Sequence, residues 1–180
     1  MNKESITVEM AELKAGKVFI VGEKQFVVLE QLDGATRVIL NGVIEEHSFD
    51  EDSNDWSKSS IREYLNTEVL KEYETIFGEE NILESETDLT SLDGLDTYGT
   101  SRDKIRLLTF EERRKHQKLY KHSKDWEWLV TPWSTTERDW KHTVCCVTPI
   151  GFVFNGCCIV NVSVRPVCIL KSSIFVSVEE

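Results

Sequence analysis

No stretch of this sequence approaches the ~20 consecutive apolar residues of a membrane span, so no membrane contact is expected. The first residues, Met1 to Glu12, mix charges with short apolar pieces and lack the basic-then-apolar order of a secretion leader. A cytoplasmic setting is therefore expected. With it come five reduced cysteines, an odd number that leaves no complete disulfide framework. The spaced cysteine pair of structural zinc sites is also missing. The cysteines stand instead as Cys145-Cys146, Cys157-Cys158 and Cys168, and adjacent residues on a strand point to opposite faces. They read as small, mostly buried hydrophobes. Asp88, Asp93, Gly94 and Asp96 lack the alternating order and closing glutamate of a calcium loop. His47, His116, His122 and His142 are scattered among polar residues and read as surface groups. No local signature places a base within reach of a nucleophile. Neither metal, cofactor nor catalytic activity is expected.

What the chain does have is enough apolar residue for a packed interior. Of its 180 residues, 40% are hydrophobic and 9% aromatic. This points to one domain, 1–180, with a single core and long decorations. No internal repeat or low-complexity linker interrupts it. The net charge of −11 is unevenly spread: residues 41–100 hold 17 acidic against 3 basic residues, and 102–124 hold 9 basic against 3 acidic. One reading is a solvated acidic surface beside a solvated helix. The other is an electrostatic dipole that steers a charged partner. On the second reading the acidic face comprises Asp50, Glu51, Asp52, Asp55, Glu79, Glu80, Glu84, Glu86 and Asp88. Such a face repels nucleic acid, which only the basic patch of Arg106, Arg113, Arg114, Lys115 and Lys118 would attract.

Short apolar runs around Gly22-Glu23-Lys24 and Asp33-Gly34 predict a three-stranded antiparallel meander over 13–42. The region 43–100 is acidic, helical and loop-like. Phe49 to Trp56 reads as an acidic loop. Ser57, Ser59 or Ser60 can cap a helix carrying Ile61, Tyr64, Leu65, Val69 and Tyr73; Asn66 is a candidate break and Phe77-Gly78 the end. Ile82 to Leu95 reads as loop. Over 101–124, Ile105 to Leu108 predicts a short buried strand, and Thr109 caps a mostly polar helix from Phe110 to Tyr120. Region 125–180 is rich in tryptophan and β-branched residues, with turns expected at Pro149–Gly151 and Asn155-Gly156. The fold class expected is α+β, with antiparallel sheets and two helices.

Four segments carry a resemblance. They are Trp56-Ser57-Lys58-Ser59-Ser60-Ile61-Arg62-Glu63-Tyr64-Leu65-Asn66, Asp103-Lys104-Ile105-Arg106-Leu107-Leu108-Thr109, Trp126-Glu127-Trp128-Leu129-Val130-Thr131-Pro132 and Val164-Arg165-Pro166-Val167-Cys168-Ile169-Leu170. In this order they resemble the signatures of DUF6273, a family of unknown function found in gut bacteria and their prophages. The last two are also similar to C-type-lectin-like domains, which implies a C-type-lectin-like core. Ser163 stands where family members often have glycine, Val130 where they often have arginine, and cysteines replace their tyrosine-rich strands. The Glu-Pro-Asn and Trp-Asn-Asp triplets of calcium-dependent sugar binding are absent.

Structural roles are expected for Trp56, Arg62, Trp126, Trp128 and Arg165, the last as a buried fork tying strand to loop. Trp133 and Trp140, in polar sequence, are the candidate exposed anchors. Two functions follow as expectations. The first is a phage or prophage protein-binding domain, in the host cytosol, whose acidic face engages a basic host protein. Its concrete form is an anti-CRISPR inhibitor of a nuclease such as Cas9. The second is a lectin-like ligand-display or phage-particle binding module that uses the loops around Trp133 to Gly156. A homodimer is left open by the exposed tryptophans and strand edges.

Overall fold

The computed structural model describes residues 5–179; residues 1–4 and 180 of the expected 1–180 domain lie outside the described residues. Strand β1 (Ser5–Glu9) precedes the expected meander of β2 (Val18–Val21), β3 (Lys24–Leu32) and β4 (Ala35–Leu40). A short β5 (Glu46–Ser48) leads into a continuous helix over 60–77: α1 (Ser60–Tyr64), a π-helical turn (Leu65–Val69) and α2 (Leu70–Phe77). Next come β6 (Ile82–Leu83), β7 (Ser85–Asp88), β8 (Thr100–Asp103), β9 (Ile105–Arg106) and helix α3 (Phe110–His116). The chain closes with β10 (Glu127–Pro132), β11 (Thr143–Val147), β12 (Val153–Cys157), β13 (Asn161–Ser163), β14 (Val167–Lys171) and β15 (Phe175–Glu179).

These strands form two main sheets in an α+β architecture. The first runs β1-β15-β2-β3-β4-β14-β6, with β9 also on β14. The late strands β14 and β15 are thus inserted beside the early meander, so strands from both ends of the sequence share one sheet. The second runs β12-β11-β10-β13-β5, with a single parallel contact between β10 and β13. A β7–β8 ladder stands apart.

Helix 60–77 covers the core with a strict repeat of four: Ile61, Leu65, Val69, Tyr73 and Phe77 are all buried. Such a repeat drifts by about 40° per step around an α-helix. The wider π turn in the middle takes that drift back and keeps the stripe facing inward. Ser59 is the N-cap, accepting from the Arg62 N–H, and Gly78 ends the helix at φ 85°. Asn66 does not break the helix. It sits in the π turn, donates to the Ile105 carbonyl at 2.8 Å and accepts from the N–H of Lys104 and Ile105.

The first two sequence motifs meet on one carboxylate. Asp103, fully buried, accepts from Trp56 Nε1 at 2.9 Å, Ser101 Oγ at 2.7 Å and Arg62 Nε at 2.6 Å. The last two motifs meet in the same manner. Arg165 Nε lies 2.9 Å from Glu127 Oε2, both side chains buried, and Arg165 also donates to the Lys121 carbonyl. Its guanidinium stacks on the Tyr120 ring at 5.0 Å, and that of Arg113 lies 5.6 Å from the same ring.

A third buried network ties α3 to the meander. Thr109 and Glu112 form a reciprocal capping box. The Arg106 fork holds both oxygens of Glu112 at 2.6 Å, and Arg37 stands 3.1 Å behind. Burial alone would raise the Glu112 pKa, but the Arg106 hydrogen bonds and charge, reinforced by Arg37, bring it down to about 2. Arg37 also pairs with Glu30, which holds Lys115 in turn.

Several expectations are corrected. Ile82 to Leu95 is not all loop, because β6 pairs with β14 and β7 with β8. Phe49 to Trp56 is not a solvated loop: Phe49, Asn54, Asp55 and Trp56 are buried, and Asn54 donates to the carbonyls of Ser134 and Thr143. Helix α3 stops at His116, which frees Tyr120 to fill the second core cluster beneath the arginines. His116 is buried, not a surface group, and burial lowers its pKa. Asn155-Gly156 is not a turn but lies inside β12, where a Cβ on Gly156 would meet the Trp128 ring at 2.9 Å.

Two outcomes are expected from urea denaturation. Asp103→Ala leaves the buried donors of Trp56 and Ser101 without an acceptor and strips half-buried Arg62 of its ion pair, and should cost about 3–5 kcal/mol. Glu112 is held below its ordinary value, so its stabilisation is complete above that value and is lost as pH falls from about 4.5 toward 2. Glu112→Gln should therefore lower stability at neutral pH and flatten its dependence across that acid window.

Candidate interaction surface

The charges of the sequence are absent from one long segment. Residues 143–164 contain no Asp, Glu, Lys, Arg or His. They build β11, β12 and β13 and the turns between them. β12 is an edge strand of the second sheet. Hydrogen bonds at Thr148–Phe152 and His142–Cys158 bracket its ladder with β11. Alternation along an antiparallel pair then turns the backbone N–H groups of Val153, Asn155 and Cys157 outward, where no strand meets them among the described residues.

Around this edge stand Ile150 (74% exposed), Phe152 (68%), Phe154, Ile159 and Val160. Phe154 packs edge-on against Trp126 at 6.3 Å. Trp126 also walls a groove of about 370 Å³ over Cys146, with Glu46, Asp125, Asn155, Gly156 and Val160 around it. The carboxylates of Glu46 and Asp125 carry no ion pair among the described residues. Trp126, expected in the core, is instead 41% exposed because it sits just before β10 begins. Its neighbour Trp128 is fully buried and donates from Nε1 to the His47 carbonyl at 2.8 Å.

The expected anchors lie elsewhere. Trp140 is half exposed, but Trp133 is partly buried against the second core cluster. Together with Leu92, Asp93, Ser134 and Arg138 they line a separate cleft of about 410 Å³, in which Arg138 pairs with Asp93 at 2.7 Å.

The expected acidic face is dispersed. Asp50, Glu51 and Asp52 precede the N-terminal end of helix 60–77 and Glu79 and Glu80 follow its C-terminal end, roughly 27 Å apart. Asp55 is not on that face: it is buried and caps Ser57. Asp50 accepts from the N–H of Asp52, Ser53 and Ser60, so it shapes the loop. Asp52 pairs with Lys141 and Glu86 with Arg102, while Asp88 closes a turn onto Thr90. Glu51, Glu79, Glu80 and Glu84 are exposed without an ion pair among the described residues.

The basic patch is corrected more sharply. Arg106 is 2% exposed and Arg113 3%, both consumed by internal partners: Glu112 for the first, Tyr120 and His122 for the second. Arg114 pairs with Glu111 and Lys115 with Glu30. Only Lys118 of the five is exposed without an ion pair among the described residues.

Family models, curated proteins and solved structures show no match to this chain. No helix among the described residues is long and apolar enough to cross a membrane. Among the described residues, no group of three His, Cys, Asp or Glu side chains is placed to hold a metal ion.

Cys145 and Cys146 point into different core clusters, as neighbours on a strand must. Burial pushes both thiols up to about 12, Cys168 likewise, and Cys158 to about 11. Cys157 is the exposed one. A thiol-reactive chromogenic disulfide should therefore titrate one cysteine in the native protein and all five after denaturation. Rapid reaction of two or more native thiols would show that the β11–β12 region opens.

Proposed function

We propose that this chain is a non-catalytic, cytoplasmic protein-binding domain that engages its partner through the apolar surface around β12. One observation carries this reading: Ile150, Phe152, Phe154, Ile159 and Val160 stand exposed beside Trp126 in a segment without a single charge. Scattered apolar residues on a surface need no explanation, but a group gathered on a free strand edge marks an interaction site. Four of the five thiols, the strongest nucleophiles available, are buried and protonated. The net charge of −11 favours a basic partner and speeds its approach.

In its most specific form, the domain is a phage or prophage inhibitor of a basic nucleic-acid-binding nuclease such as Cas9, competing for the channel that holds nucleic acid. Direct nucleic-acid binding is not favoured, since the basic patch is largely buried or paired. The DUF6273 resemblance and a C-type-lectin-like core belong to the same proposal. Their support is the way the four motifs pair in space, through Asp103 and through Arg165–Glu127.

The cleft between Trp133 and Trp140 favours a second reading, a lectin-like ligand-display or phage-particle module, because two indoles on one apolar hollow suit a sugar face or a planar group.

The test is DNA cleavage by purified Cas9 with increasing amounts of the domain. Inhibition that weakens with salt, and that Phe152→Asp with Phe154→Asp relieves by at least about tenfold, is the expected result. Full cleavage at saturating domain, together with glycan or phage-particle binding that Trp140→Ala abolishes, would replace it with the display reading.

A further inference from the structure

From the geometry of the β12 edge we infer that the partner contributes an extended, basic segment, which pairs with β12 as an added strand and seats a lysine or arginine side chain in the Trp126 groove. This rests on the reading of the apolar surface as a protein-binding site.

The first support is the backbone. Val153, Asn155 and Cys157 present N–H groups along an open edge, and strands left open in this way accept another strand. Natural edges that must stay free carry lysine, proline or a bulge. β12 has none of these: its sequence is Val-Phe-Asn-Gly-Cys, and its register with β11 runs unbroken over five pairs.

The second support is charge. The groove beside this edge has an apolar floor and an indole wall, but Glu46 and Asp125 stand on its rim with no cation opposite among the described residues. An ammonium or guanidinium placed there gains the carboxylates and the face of Trp126 together. An added strand lies about 4.8 Å from β12, a distance that a lysine or arginine side chain spans. Asn155 and Gly156 of β12 line the groove, so it adjoins the strand that the partner would extend. The same charges argue against a second copy as the occupant. Each copy carries −11, and an isologous edge pairing supplies no cation for either groove.

Synthetic peptides test this against the intact chain by fluorescence anisotropy, with backbone amide hydrogen exchange as a second readout. The probes are an eight-residue peptide of alternating valine and lysine, its glutamate and its serine counterparts, and a form of the lysine peptide N-methylated at alternate amides. The lysine peptide should bind and should slow exchange at Val153, Asn155 and Cys157. Binding should weaken about tenfold in Glu46→Gln with Asp125→Asn, and should be lost with the N-methylated peptide. Equal binding of the serine peptide that still depends on Phe154 overturns the inference while leaving the protein-binding reading intact. So does a β12-dependent dimer in sedimentation. Lysine-peptide binding without slowed exchange at β12 overturns the added strand. If no peptide binds, and Phe152→Asp with Phe154→Asp changes no partner assay, both readings fail.

Discussion

Asp103 is the point on which the helical half of the molecule turns. One buried carboxylate accepts from an indole just before α1, a hydroxyl on its own strand β8 and a guanidinium on α1. A buried charge is costly unless its acceptor sites are filled, and here the filling groups also fix the geometry. Trp56 cannot reach Asp103 unless the loop before α1 is closed, and Arg62 cannot unless α1 is in register with β8. Asn66 extends the same arrangement by one turn, binding the backbone of Lys104 and Ile105 where β9 begins. The first sheet then receives β9 at a set position beside β14.

The arginine networks obey the same rule and alter the outside of the protein as well. Arg106, Arg113 and Arg165 are withdrawn into the interior, each against a carboxylate, a ring or a carbonyl. Asp55, Asp103 and Glu127 are buried as well, so the net charge of the surface is unchanged, but the basic patch of the sequence is lost with Arg106 and Arg113. The acid is spread around helix 60–77 and not gathered on one face, so it acts as a long-range field more than as a contact surface. On the proposed function, contact falls to the charge-free segment 143–164, where β12 closes the second sheet with an apolar edge. That proposal assigns field and contact to different parts of the molecule.

Local chemistry was legible from residue order alone. The meander with its glycine turns, a serine cap among Ser57, Ser59 and Ser60, the Thr109 cap, the stop at Gly78 and the antiparallel α+β class all follow from short-range preferences. The inward stripe of helix 60–77 was legible in part: Ile61, Leu65, Val69 and Tyr73 are buried, while Tyr64 is half-buried outside the strict repeat of four. Opposite faces for adjacent cysteines needed only the two-residue period of a strand.

What lies far apart in sequence was decided by the tertiary structure. Whether Arg106 and Arg113 meet solvent depends on Glu112, Tyr120 and His122 being positioned by the fold, and composition counts them only as basic. Asn155-Gly156 has the chemistry of a turn, yet Trp128, 27 residues earlier than Asn155, needs the space that a glycine in a strand leaves. Trp126 and Trp128 differ by only two positions, but only the second is packed into the core, against Phe49 and Gly156. Exposure of β12 is likewise a matter of strand order, since nothing in Val-Phe-Asn-Gly-Cys says that no neighbour follows on its outer side.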